Sequence, residues 1–318
     1  MRLFKVSFVG LFLIGVLACS DSHQQADPNF IPQNTNKTFS ETNSPVVLVD
    51  EAHNNFLTAN GRYRPFAQVL ESDGYTVKSN KSRFSLNNLN SADIIVIANA
   101  LDKSRRDWSP PYTEALTNDE VSNVKKWVLD GGSLFLVADH TPFPKVIENL
   151  ASGFGFEFSN GHVGNAIFHA ENKTLGEHVI TFARETEQSL FIPAALVELT
   201  ESAVRSNRIK QVITFGGSAF KTPPEATSLL TLGEGAVSVI PEVPFQMNAD
   251  TPRVPMNGWS QGAVLEVGKG RVAVFAEGMM FSSQLDTKTG KKYGLASKGA
   301  EQNERFLLNI MRWLAGAI

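Results

Sequence analysis

Four acidic side chains, two imidazoles and two amides stand directly after apolar runs in this chain. "VVLVDEAHNN" places Asp50, Glu51, His53 and Asn54 behind Val46–Val49, and "ADIIVIANA" ends in Asn99. "SLFLVADHTP" ends in Asp139 and His140, and "RVAVFAEG" ends in Glu277. A carboxylate beside an imidazole suits general acid–base chemistry, because histidine titrates nearest neutral pH. The same donors suit a divalent metal such as zinc, manganese or iron, with His53, His140 and Asp139 as ligands and a bound water as nucleophile. No local H-E-x-x-H motif supports a metal, so the cofactor stays open. Asp and Asn after a strand also cap the following turn, which is the competing reading for each position taken singly.

The apolar runs must position these groups. Val46–Asp50, Ala92–Ala100 and Ser133–Asp139 are continuous and rich in β-branched residues, as strands buried on both faces are. Helical spacing covers 64–74, closed by Gly74, and 117–132, opened by a Thr117/Glu120 capping box and closed by Gly131 and Gly132. Residues 143–155 read as one further helix. Alternating strand and helix implies an α/β fold, a mostly parallel sheet with helices on both faces. Such sheets bind ligands beyond the carboxyl ends of their strands, where this polar set should gather. The second half is less regular and rich in β. "GAVLEVGKGRVAVFAEG" reads as a hairpin whose second arm could join the main sheet, and 301–316 as a closing helix.

Other residues are weaker candidates. The loop "DKSRRDWSPPYTEAL" carries Arg105, Arg106, Trp108 and Tyr112, a composition that suits carboxylated or hydroxylated ligands, and its length suits a lid. His162 is read as a ligand contact from a loop, and His178 as structural. Ser282 and Ser283 lack the G-x-S-x-G elbow of a serine hydrolase. "DEAH" matches a helicase box, yet no G-x-x-x-x-G-K-[ST] phosphate loop exists, so neither nucleotide nor nucleic acid is expected as partner.

The first residues bound the compartment. Arg2 and Lys5 precede an apolar run to Ala18, too short to span a bilayer comfortably. Val16-Leu17-Ala18-Cys19 resembles the bacterial lipoprotein box, so residues 1–18 are expected to be a signal peptide and Cys19 the lipidated N-terminus. Ser20 after it favours the periplasmic side of the outer membrane. Cys19 is the chain's single cysteine, so no thiol remains for catalysis. Loss of Arg2 and Lys5 moves the formal charge from −3 to −5, which also argues against nucleic acid. Residues 19–44 are polar and Asn/Ser-rich, and are expected to be a tether. Residues 45–318 are expected to form one domain.

"RYRPFAQVLESDGY", "ADIIVIANAL", "VSNVKKWVLDGGSLFLVADHTPFP" and "NERFLLNIMRWLAG" resemble an uncharacterised bacterial lipoprotein family in the class I glutamine amidotransferase-like superfamily. The resemblance spans about 45–318 and implies a flavodoxin-like sheet. True amidotransferases carry a nucleophilic cysteine at the position matching Asp139-His140, with a downstream His-x-Glu partner. Both are missing here, so glutaminase chemistry is not expected. The expectation is a lipid-anchored periplasmic protein with a polar site at the sheet's carboxyl edge, acting as a hydrolase on an envelope or imported glycan-type substrate. Asp50, Glu51, His53, Asp139, His140 and Glu277 would be the working groups, with Asn54, Asn99, Arg105 and His162 contacting the ligand. The alternative is a non-catalytic binding or scaffold lipoprotein on the same fold.

Overall fold

A computed structural model describes residues 23–104, 108–182 and 208–318. The leader, Cys19, Arg105 and Arg106 lie outside the described residues. The strands of the main sheet are β1 (Val46–Asp50), β2 (Thr76–Asn80), β3 (Ile94–Ala98), β4 (Ser133–Val137), β5 (Glu157–Ser159), β6 (Ala219–Lys221), β7 (Thr227–Thr231), β8 (Ser260–Val267) and β9 (Gly270–Phe275). Their order is β2-β1-β3-β4-β9-β8-β6-β5, with β7 also on β8. The five strands from β2 to β9 run parallel, while β8, β6 and β5 continue antiparallel. This is a flavodoxin-like α/β sheet with a β-rich extension. Its chain order reverses between β1 and β3, the switch point where such sheets open a crevice.

The continuous apolar runs follow from two-sided burial. Val47, Val49, Val96, Phe135, Val137 and Phe275 face one core, shared with helices α1 (Arg64–Ser72) and α6 (Asn303–Leu314). Leu48, Ile95, Ile97, Leu134, Leu136 and Val274 face the other. Helices α3 (Asn118–Leu129) and α5 (Glu148–Gly153) cover that second face through Val124, Trp127, Val128 and Leu150. The stretch 143–155 is not one helix. It breaks at Ile147 (φ −120°) into α4 (Phe143–Val146) and α5, and a short helix α2 (Leu86–Leu89) precedes β3. The β8–β9 hairpin turns through Gly268 and Lys269, and β9 pairs with β4, Phe275 opposite Val137.

The expected tether is corrected from His23 onward. Gln24–Ala26 is a strand paired with Ser283–Asp286. Phe30 and Phe39 enter the core, and the backbone amides of Gln33 and Asn34 donate to Glu304 Oε1 at 2.7 and 2.8 Å. Asp73, fully buried, accepts from Arg312 Nε (2.9 Å) and a terminal guanidinium nitrogen (2.8 Å), and from the Thr38 amide (3.1 Å). Polar anchors on distant helices hold this segment, so its low apolar content misleads. Asp73→Asn keeps the shape and removes the charge that five donors share, the Asn34 side-chain amide and the Thr38 hydroxyl among them. It should cost about 2 kcal/mol, read as a lower urea midpoint with an unchanged m-value.

Candidate functional site

The carboxyl ends of β1, β3, β4 and β9 carry the polar groups as expected, but the structure divides them into two sets. In the first, His53 lies between two carboxylates. Its Nδ1 is 2.8 Å from Asp50 Oδ2 and its Nε2 is 2.9 Å from Glu120 Oε1. All three residues are buried, and Phe84 stacks on the ring at 5.1 Å. Both ring nitrogens must donate to satisfy both acids, which requires the imidazolium. Burial pulls the His53 pKa down, but Asp50 and Glu120 outweigh it and leave it raised. Burial likewise pushes Glu120 up, while its Thr117 and His53 partners bring it down to about 2. Glu120 is also the capping-box residue of α3, accepting from the Thr117 amide (3.0 Å) and hydroxyl (2.9 Å) and the Phe84 amide (3.1 Å). The set therefore pins the loop after β1 to the start of α3.

Glu51 also closes local structure. Its Oε1 accepts from the Ser79 hydroxyl at 2.6 Å and the Ala59 amide at 3.2 Å. Asn54 is exposed, with its amide 3.4 Å from the Leu101 carbonyl. The hydrogen bonds of Asp50, Glu51 and His53 thus go to one another, to the β1 loop and to Ser79 and Glu120, and not to Asp139 or His140. Their short side chains find donors and acceptors within the β1 loop and its neighbours first. The metal set of His53, His140 and Asp139 is not assembled, and no cluster of three or more His, Cys, Asp or Glu suited to a metal occurs among the described residues.

The second set centres on Asp139 and His140, which stay half-buried. Asn99 and Asp139 clasp each other: Asn99 Nδ2 donates to Asp139 Oδ2 at 2.7 Å, and the Asp139 amide donates to Asn99 Oδ1 at 3.0 Å. The Gly278 amide donates to Asp139 Oδ1 at 2.6 Å. A side chain at 278 would meet the Tyr63 hydroxyl at 2.9 Å and Val137 at 3.1 Å, so glycine lets this amide reach the acid. Glu277, 2 % exposed, accepts from the Met279 (2.7 Å) and Met280 (2.9 Å) amides. Burial and the Asp139 charge push Glu277 up to about 8. Burial also raises Asp139, against His140, Asn99 and the Gly278 amide. The charge on Asp139 disfavours a second one on Glu277, so at neutral pH the pair holds Glu277 protonated.

His140 Nδ1 lies 2.7 Å from the Thr141 carbonyl. A carbonyl only accepts, so Nδ1 carries the hydrogen and the neutral ring offers Nε2 as a base. Burial lowers the His140 pKa, against Asp139 and the Thr141 contact. His162 stacks on it at 4.3 Å and 14°, and burial with His140 drives His162 to about 3. His162 Nε2 and, two residues earlier, Asn160 Oδ1 are buried without a hydrogen-bond partner.

An aromatic wall closes the site. Phe245 (4.9 Å), Phe143 (5.6 Å) and Trp108 (5.9 Å) surround the His140 ring, and Phe56 packs on Trp108 at 5.1 Å with Arg62 over it at 4.2 Å. Phe245 is 65 % exposed. Tyr112 reaches both the Trp108 and Glu242 carbonyls, joining the loops that carry the two outer rings. Five described non-glycine residues have positive φ, and four serve this edge: Asn54, Asn99, Trp108 and Phe245, at 48–63°. Backbone strain of this kind collects where geometry is over-determined for function. The cavity of about 450 Å³ lined by Lys125, Leu129, Phe154 and Glu225 holds none of these groups.

Sequence reading missed Tyr63, Asn160 and Phe245, and read Glu120 only as a cap. Phe245 sits in a loop without periodicity, so no local signal marks it. Ser282 donates to the Arg62 carbonyl, and Ser283 lies 3.3 Å from Asp27, so both serines are structural. His178 packs edge-on against Trp313.

No family model and no curated protein matches the sequence. Among solved structures, the mmIFT52 N-terminal domain is similar over 85 % of this chain and 96 % of its own, at 14 % identity and a TM-score of 0.54. The two share a fold. A cytoplasmic protein from Salmonella typhimurium LT2 (10 % identity, TM-score 0.47, 85 % of this chain and 98 % of that one) and a protein described as ThuA-like from Bacteroides uniformis (12 %, 0.42, 85 % and 92 %) are also similar. These likenesses concern the scaffold and carry no activity.

Proposed function

We propose that this chain is a lipid-anchored periplasmic protein, on an amidotransferase-like scaffold without the thiol, that hydrolyses an envelope or imported glycan-type ligand. The site is Asp139, His140 and Glu277, with Asn99 as orienter and His162, Trp108 and Phe245 as ligand contacts. One observation carries this reading: His140 holds a fixed tautomer with a bare Nε2, beside a carboxyl pair, inside an aromatic wall. Sugar rings stack on such walls, and their hydroxyls can donate to His140 Nε2 and pair with the unpartnered His162 Nε2 in either of its tautomers. In the reaction, His140 Nε2 takes a proton from water as the water oxygen bonds to the scissile carbon, and the imidazolium returns that proton to the leaving oxygen as the C–O bond breaks. The Asp139 carboxylate stabilises the imidazolium that forms, and Glu277, protonated at neutral pH, leaves Asp139 the single charge. Asp50 and His53 stay outside the chemistry.

The pKa directions fix the pH dependence. The base works only when His140 is neutral, so activity should fall on acidification below its lowered pKa, itself under the usual 6.5. Ionisation of Glu277 near 8 adds a second charge beside Asp139, so activity should also change above that pH. A kcat/KM profile on soluble envelope glycan fragments checks both limbs, and Glu277→Gln should remove the alkaline one. A profile without an alkaline limb in the native chain would sink the role given to the carboxyl pair. The non-catalytic alternative keeps the same surface, and binding without product release would establish it.

A further inference from the structure

The first described strand leaves the domain at one particular place. The carbonyl of His23 accepts from the Thr287 amide at 2.9 Å and the Thr287 hydroxyl at 3.0 Å. The strand behind it pairs Gln24 with Asp286 and Gln25 with Leu285. Thr287 begins the tip of the hairpin formed by Ser283–Asp286 and Lys292–Gly294. Only three residues separate His23 from Cys19, and the four steps reach about 14 Å at full extension. If Cys19 carries lipid, the hairpin tip is held within that distance of the bilayer surface.

The hairpin has the charge for such a surface. Lys288, Lys291, Lys292 and Lys298 are all exposed within 286–298, against a single acid there, Asp286. The whole chain, by contrast, has 29 basic and 32 acidic residues. Asp286 is turned onto its own loop, accepting from the Lys288 and Thr289 amides. Lys292 pairs with Asp27 at 2.8 Å, and Lys291 lies over Tyr293 at 4.7 Å. Among the described residues, Glu301 is the next acid along the chain and accepts from the Gly299 amide. Lys288, Lys291 and Lys298 are thus the charges presented outward. They sit where the screening length of about 8–10 Å still lets them feel lipid phosphates.

We infer that the 286–298 hairpin is a membrane-contacting surface that binds anionic phospholipid headgroups and fixes how the anchored domain sits on the bilayer. The inference rests on the lipid-anchor reading. Lysines beside an anionic bilayer add about fivefold each to partitioning, and one acyl signal is strengthened by a second, basic one. The hairpin begins at Ser283, six residues after Glu277 in the chain.

The test uses the mature chain from residue 19 with Cys19→Ser, which retains every described residue and removes the acyl group. It should sediment with vesicles containing phosphatidylglycerol and not with pure phosphatidylcholine vesicles, and 0.5 M salt should release it. Lys288→Glu/Lys291→Glu should weaken binding at least about tenfold, while the control pair Lys78→Glu/Lys81→Glu should not. Equal binding to both vesicle types, or no loss in the hairpin variant, overturns the proposal. Labelled palmitate on the full chain tests the anchor separately. No label at Cys19 overturns the anchor reading, whereas label without anionic-vesicle binding overturns the hairpin alone.

Discussion

Glu120→Ala should lower the stability of the domain by about 3–5 kcal/mol, the usual cost of removing one partner of a buried ion pair. For a domain of this size that is a fall in Tm on the order of 10 °C. Glu120 gathers the His53 imidazole, the Thr117 amide and hydroxyl, and the Phe84 amide in a buried site. Truncation strands all of them. Its Arg83 contact is exposed on the arginine side and contributes little. Glu120→Gln keeps an acceptor and should recover part of the loss.

The pH dependence gives the signature. His53 has a raised pKa in the folded state, so its contribution is complete below the unfolded value of 6.5 and is lost as pH rises through the folded value. Glu120 is lowered from 4.5 to about 2, so its contribution is complete above 4.5 and is lost as pH falls toward 2. The penalty of Glu120→Ala should therefore be greatest between about pH 4.5 and 6.5 and shrink on either side. Urea unfolding from pH 3 to 9 measures it. A penalty constant across that range contradicts the charged His53 bridge.

His140→Ala should reduce turnover by about 10²–10⁴, the contribution of one positioned acid–base group, with much less change in stability, because His140 is half-buried. The loss should fall on kcat rather than on binding, since His162, Trp108 and Phe245 still line the site. His162→Phe keeps the stack on His140 and removes the bare Nε2, so it should raise KM and spare kcat. A His140→Ala enzyme with unchanged kcat would remove histidine from the chemistry. Equal losses in KM for both variants would favour a purely binding site.

Much of the fold could be read from local pattern. Two-sided burial makes Val46–Val49, Ile94–Ala98 and Leu134–Val137 apolar throughout, and the Thr117/Glu120 box marks the start of α3. The convergence of Asp139, Asn99 and Glu277 follows from strand ends in one parallel sheet. The partition of the acids did not follow. Asp50 and His53 are three residues apart and look as reactive as Asp139 and His140. Only the path of α3, which brings Glu120 to Nε2, makes them structural. The order of residues 23–44 was equally hidden, because it depends on Asp73, Glu304 and Arg312 far along the chain. Phe245 reaches His140 through a loop more than 100 residues away, and no periodicity announces it.

Ligand should engage the Asp139–His140 edge and leave the Asp50–His53 set untouched. Side-chain NMR of the histidines, recorded as envelope glycan fragments are added, tests this directly. The ring signals of His140 and His162 should move together and saturate, while His53 keeps its imidazolium shift. Movement of His53 with His140 unmoved would contradict it, and so would saturation binding that shifts neither His140 nor His162.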